Sequence, residues 1–339
     1  MPPRLKPSIL LMLLGPVVAA ASPPTPAPLA AYIHDGRFDP GDYGWLRGMF
    51  DGASAADVSA YRSIVDWRRR CRASDMAETR ADLVALGVTA GSSLDTIPYR
   101  SLLCDQVATL PEPLDLHNWT GFSHDVSVVR PIAASYLAAV AAAEDAAGSD
   151  TPNLQDALRG RVIGEQTLRS GIESASGPAA ISSFALDLTA QQRGILAAEL
   201  AIALATRDHA NTAWLKGLVA ARGWPKRSEV GEAAAKSAWL LVQHADADPA
   251  FQVQALRAMK PLVAAGDADR RKYAYLYDRV MLKLTGLQHY ATQLTCQSGR
   301  YVPLPTEAMS KVDEERKQVG LESLIDYQVR ILKSNGACK

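Results

Sequence analysis

The residues able to do chemistry in this chain are scattered polar groups in its second half. They are Glu165, Gln166 and Arg169; Asp208 and Asn211; Gln243, His244 and Asp246; Asp278 and Arg279; and Thr292 and Gln293. His244 with Asp246, plus carboxylates on separate predicted helices, is a mix that a helical bundle can use for acid–base work or for a metal. In the acid–base version His244 transfers the proton, Asp246 or Asp208 orients it, and Arg169 or Arg279 holds an anionic substrate group. In the metal version the ligands are Glu165, Asp208, His244 and Asp278. The plain alternative is structural, with Asp278 and Arg279 in ordinary ion pairs, Asp246 or Asp248 capping a helix, and Asn211 bonding a turn. No HExxH, GxSxG, Gly-rich phosphate loop or EF-hand loop occurs, so no reaction is named by motif and no cofactor is expected.

His244 falls near the C-terminal end of its helix, where the helix dipole favours a protonated ring. His289 is expected in an exposed turn, and His34, His117, His124 and His209 show no paired spacing. Trp214, Trp224 and Trp239 with Tyr273, Tyr275 and Tyr277 are read mainly as core, with a ligand groove as the alternative. Asp42, Tyr43, Trp45 and Phe50 read as a loop anchor, and Asn118-Trp119-Thr120 is a glycosylation sequon only in a glycosylating host.

These groups must be positioned by helices. Ser54 is expected to cap one helix and Ser74 to open another that stops at Gly87. An Ala-rich helix spans 126–147 with Pro131 near its start, and Gly148 to Pro152 reads as a boundary. Further helices are expected over 154–170, 189–221 and 228–244, with Ser228 as the cap of the last. Asp248-Pro249 opens another that Pro261 should kink and Gly266 close. One more covers 269–284, ended by Gly286. Segments 290–296 and 300–303 flank Gln297-Ser298-Gly299 as a hairpin, and a last helix covers 323–333. The expected fold is mainly α, with a helical bundle-like module and a small C-terminal β-hairpin (151–339) preceded by a smaller helical module (31–150).

The chain has 339 residues, with 36 Lys+Arg against 36 Asp+Glu, 48% hydrophobic and 21% charged residues. That is a globular composition with no net charge, so a polyanion binder is not expected, and the short run Arg68, Arg69, Arg70 does not change this. Arg4 and Lys6 before the apolar stretch 9–20, with Ala19, Ala20 and Ala21 as small residues, read as a signal peptide over 1–21. An uncleaved anchor is the alternative, but the apolar run is short for a span. A Pro-rich linker follows over 22–30. Removing the leader takes two basic residues and no acid, leaving the mature chain at −2. No later segment is read as crossing a bilayer. Export places Cys71, Cys104, Cys296 and Cys338 in an oxidising compartment, where the local pairs 71 with 104 and 296 with 338 are favoured among three possible pairings. No CxxC spacing suggests zinc, and a nucleophilic cysteine is the sharper alternative.

From about residue 160 to 330 the chain resembles a bacterial family, domain of unknown function 6624. The matching pieces are EQTLR at 165–169, DHANTAWLKGLVAARGWP at 208–225 and VGEAAAKSAWLLVQHADADPAFQ at 230–252. YLYDRV at 275–280, YATQ at 290–293 and VDEERKQVGLESL at 312–324 complete them. The family pattern looks like YGTQ where this chain has Ala291, so a positive φ there is not expected to be required. It also looks like Asp where this chain has Glu165. The resemblance names no activity and leaves residues 30–150 uncovered. The reading that follows is an exported, periplasmic or secreted helical protein, a ligand-binding or interaction module of the cell envelope, with a small molecule or envelope component as partner. The runner-up is a hydrolase-like enzyme built on His244.

Overall fold

The computed structural model describes residues 23–91, 94, 96–176 and 187–338, so the expected signal peptide lies outside the described residues. The chain is mainly α, as its periodicity predicts. The helices are α1 (Ala55–Ala85), α2 (Leu102–Ala108), α3 (Trp119–Ala146), α4 (Leu154–Ser176), α5 (Ala190–Arg222), α6 (Arg227–Gln243), α7 (Pro249–Ala264), α8 (Arg270–Thr285), α9 (Val312–Gln318) and α10 (Leu324–Asn335). Two short antiparallel pairs accompany them, β1 (Ile33–His34) with β2 (Arg37–Phe38), and β3 (Leu294–Gln297) with β4 (Arg300–Pro303).

Local chemistry sets most helix ends. The Ser54 hydroxyl accepts from Asp57 N while the Asp57 carboxylate accepts from Ser54 N, a reciprocal cap, and Thr189 with Gln192 repeats it on α5. Asp248 accepts from Phe251 N with Pro249 in the first turn, and Asp269 and Ser323 cap α8 and α10. Gly286 takes φ 76° to close α8.

Several expected boundaries are corrected. Residues 55–85 form one 31-residue helix rather than two, because Ser74 lies inside a run that buries Cys71, Asp75, Met76 and Thr79 on one side. α3 starts earlier than expected because Asn118, the sequon residue, caps it by accepting from Gly121 N. Ser228 does not cap α6; its N–H and hydroxyl both bond the Asp267 carboxylate, and Gly231 at φ 77° bends the helix just after. The hairpin is shorter than expected, since residues 290–293 form a loop. Contrary to the sequence reading, α3 is long and apolar enough to cross a membrane. Its buried face (Phe122, Val126, Val129, Ala133) packs within the protein, and its Glu144 pairs with Arg207 of α5.

Two apolar clusters hold these elements. The first joins Leu29, Tyr43, Trp45, Phe50 and Trp67 to Phe122, Val129, Leu168, Ile195 and Leu200; the second joins Leu83, Leu94 and Leu158 to Leu215, Leu241, Phe251, Leu276 and Val280. The aromatic residues singled out in the sequence pack with the second cluster in the case of Trp214, Trp224, Trp239, Tyr273 and Tyr277. Tyr275 instead meets Tyr327 edge-on. α4 and α5 lie side by side and contribute to both clusters. Between their two apolar contributions each helix carries a polar stretch: Glu165 and Arg169 on α4, Asp208 and Asn211 on α5. The site forms at this seam.

Both expected disulfides are present, Cys71–Cys104 between α1 and α2 and Cys296–Cys338 between β3 and the chain end. Their Cα atoms stand 6.2 and 5.7 Å apart, ordinary for a bridge. Two bridges with no free cysteine among the described residues are consistent with an oxidising, exported environment.

Candidate functional site

A cavity of about 330 Å³ opens between α4, α5, the α6–α7 connection and the segment around α2. Helical spacing explains which side chains reach it. Asp208, Thr212 and Lys216 recur every four residues on one face of α5, with His209 beside them, and all four line the cavity. Glu165 and Arg169 have the same spacing on α4. His244 and Asp246 enter from the connection after α6, and Pro98, Arg100 and Asp105 enter from the first half of the chain.

His244 is fixed from behind. The Glu165 carboxylate is completely buried and meets His244 Nδ1 through both oxygens, at 2.9 and 3.1 Å. Gln166 Nε2 adds a third contact to Glu165 Oε1 at 3.1 Å. A buried carboxylate is tolerable only when so paired. In the neutral ring, the tautomer with its proton on Nδ1 donates to Glu165 and leaves the Nε2 lone pair to the cavity. Nε2 has no hydrogen-bond partner among the described residues, and the ring lines the cavity with a side-chain exposure of 11%.

Asp208 supplies a second titratable group. Arg169 Nη2 donates to its Oδ2 at 2.7 Å. Its Oδ1 and Arg169 Nε are buried without a hydrogen-bond partner among the described residues. Burial pushes the Asp208 carboxyl up to about 7, with Arg169 opposing and Glu165 and Asp246 adding to the rise. A carboxyl of this kind holds a proton near neutrality, as a general acid must.

Asp246 has a different role from the one expected. Arg279 and Lys283 both donate to its carboxylate, and Gln252 Nε2 adds a bond of 3.2 Å. Burial alone would raise its pKa, but Lys283 and then Arg279 hold it far below the usual carboxylate range. Asp246 therefore anchors α8 to the connection after α6, and Glu165, rather than Asp246 or Asp208, orients His244. Arg279 does not line the cavity; Lys216 and Arg100 do, beside Arg169. Each has a carboxylate partner, Lys216 with Asp248 at 2.6 Å and Arg100 with Asp82 at 2.6 Å.

The remaining expected residues lie elsewhere. Asp278 is completely buried and accepts four bonds of 2.8–2.9 Å, from the N–H groups of His289, Tyr290 and Thr292 and from the Thr292 hydroxyl. It shapes the 288–293 loop, in which Thr292 and Gln293 are bonded to each other, and it is not beside Glu165, Asp208 and His244 as the metal reading requires. In that loop Ala291 takes φ 53°, so the backbone is left-handed there despite the alanine, contrary to the sequence expectation. Asn211 accepts from Arg161 Nη1 at 3.3 Å, away from the cavity lining. Gln243 ends α6, its carbonyl accepting from Gln252 Nε2.

Sequence reading missed His209, Asp105, Arg100 and Lys216. His209 Nε2 pairs with Asp105 Oδ2 at 3.2 Å across 104 residues of chain, a distance at which no local spacing could announce it. A second cavity, about 390 Å³, lies between β2, α3 and α5. Its walls are mostly apolar around Glu199, which burial pushes up to about 7, and its lining includes no imidazole.

None of the curated proteins and none of the solved structures matches the chain. A family model does match, over residues 184–339. It begins after Glu165–Arg169, later than the resemblance suggests, and runs to the last residue. It contains Asp208, His209, Lys216 and His244, while Glu165, Arg169, Arg100 and Asp105 lie outside it. The matching model is that of DUF6624, a family of unknown function, and the match covers just under half of the chain.

Proposed function

We propose that the cavity is the active site of a hydrolase-like enzyme that uses His244 as general base on a small anionic substrate. The observation that carries this reading is the completely buried Glu165 gripping His244 Nδ1 while the other ring nitrogen is left to the cavity. Evolution of a stable fold alone gains little from a buried carboxylate–imidazole pair, whereas proton transfer needs a ring of fixed tautomer and orientation. Asp208 holds the Arg169 guanidinium at the cavity wall, and Arg169 with Lys216 holds the anionic group. The cavity volume is in the range of small-ligand sites. The two disulfides support a periplasmic or secreted location, which fits the leader read from the sequence.

The test is turnover of p-nitrophenyl acetate, p-nitrophenyl phosphate and bis(p-nitrophenyl) phosphate by the oxidised chain and by His244→Gln. The expected result is hydrolysis of an anionic ester that falls about 10²- to 10⁴-fold in the variant with an unchanged melting temperature. Turnover equal in both proteins, or none by either, favours a ligand-binding or interaction module of the envelope instead.

A further inference from the structure

The cavity contains a second imidazole built as the first is. His209, on α5, has its Nε2 held by Asp105 Oδ2 at 3.2 Å, and the two side chains are 17% and 18% exposed. Asp105 is itself fixed, since its Oδ1 accepts from Tyr99 N at 3.0 Å and its neighbour Cys104 is bridged to Cys71 of α1. His209 Nδ1 has no hydrogen-bond partner among the described residues, and the ring lines the same cavity as His244. The two rings are thus braced by different carboxylates from different helices, Glu165 of α4 and Asp105 of α2, and each leaves one nitrogen free for a ligand.

Resting on the acid–base reading above, we infer that His209 is the second proton-transfer residue of this cavity and that the substrate is a phosphate ester of a small alcohol. One imidazole suffices for an acyl ester, where the same ring can take a proton and return it in successive steps. Direct displacement at phosphorus removes a proton from the attacking water and delivers one to the leaving oxygen in a single passage, which two separately held rings provide. The charge on the transferred group then calls for positioned cations, and Arg169 and Lys216 line the cavity. In the reaction His244 Nε2 takes a proton from water as the water oxygen bonds to phosphorus. The ester P–O bond breaks, and the protonated His209 ring gives its Nδ1 proton to the departing alkoxide. Inorganic phosphate and the alcohol leave, and the two rings exchange the proton with solvent. Asp105 is a positioning residue that acts through His209.

The experiment titrates the oxidised full chain, labelled with ¹⁵N at histidine, with inorganic phosphate, and follows the ring nitrogens of all six histidines. Assignment comes from single His→Gln variants. The expected result is that His209 and His244 shift together with one midpoint, that acetate at equal ionic strength does not reproduce it, and that His209→Gln weakens phosphate about tenfold. Asp105→Asn, which keeps an acceptor for Tyr99 N, should change the tautomer signature of His209 and leave that of His244. If only His244 responds, the role of His209 is overturned and the acid–base reading stands. If acetate acts as phosphate does, the substrate class is wrong. If neither ring responds, both readings fall.

Discussion

Glu165 and Asp278 are both completely buried carboxylates, yet they do opposite work. Asp278 is saturated by four donors from one loop, and the loop is clasped further by Gln288, which bonds the Gln293 carbonyl at 3.0 Å, and by Arg316, which bonds the Tyr290 and Ala291 carbonyls at 2.8 and 3.2 Å. Nothing on Asp278 is left for a ligand. Glu165 bonds an imidazole whose other nitrogen faces a cavity. A buried charge consumed by backbone donors is architecture, and one that passes its influence to a half-open ring is poised for chemistry.

The largest expected effect falls on the architectural side. Asp278→Ala leaves four buried donors unpaired, each costing about 1–3 kcal/mol, and should destabilise the fold by about 5 kcal/mol or more, read by chemical denaturation, with local loss of amide protection at 289–292. Replacing Cys71 and Cys104 together by Ser should cost about 4 kcal/mol in the chain-entropy account and loosen the Asp105 side of the cavity before the Glu165 side. Glu165→Gln keeps the shape and one acceptor, so its main effect should be on turnover, a loss of about 10²-fold, with stability changed less than by Asp278→Ala.

Asp208 gives a pH prediction. Its folded pKa of about 7 lies above the unfolded value of about 3.9, so between those pH values the folded state holds a proton that the unfolded state has released. Its contribution to stability is therefore present at low pH and is lost as pH rises from about 4 to 7. Asp208→Asn should flatten the stability–pH curve in that window relative to the parent, and the opposite slope difference would contradict the assignment. The smallest effect belongs to Gln293→Ala. Its side chain adds one bond of 3.1 Å to the Thr292 hydroxyl, so the change should stay within about 1 kcal/mol and leave turnover unchanged.

The helices were legible because their caps are local. Ser54, Thr189, Asp248, Asp269 and Ser323 announce starts, and Gly286 an end, within four residues of sequence. The disulfide pairs are legible on a longer scale, because each joins two cysteines of the same half of the chain, 33 and 42 residues apart. The site was half legible. His244, Glu165, Asp208 and Arg169 are legible by residue type, but which carboxylate meets His244 depends on how α4 packs against α6, a contact 79 residues apart in sequence. Asp246 lies two residues from His244, but proximity along the chain does not make it the partner, because Arg279 and Lys283 on α8 claim both its oxygens. The pairing of His209 is not legible, because its partner Asp105 lies in the half of the chain that the resemblance does not cover.

The most direct test of the account is the tautomer of the neutral His244 ring, read from its two ¹⁵N shifts in the parent and in Glu165→Ala. The account predicts the proton on Nδ1 in the parent, with Nε2 carrying the lone pair, and a loss of that preference when Glu165 is removed. A neutral ring protonated on Nε2 in the parent, unchanged by the substitution, would mean that Glu165 does not set the base and would contradict the account.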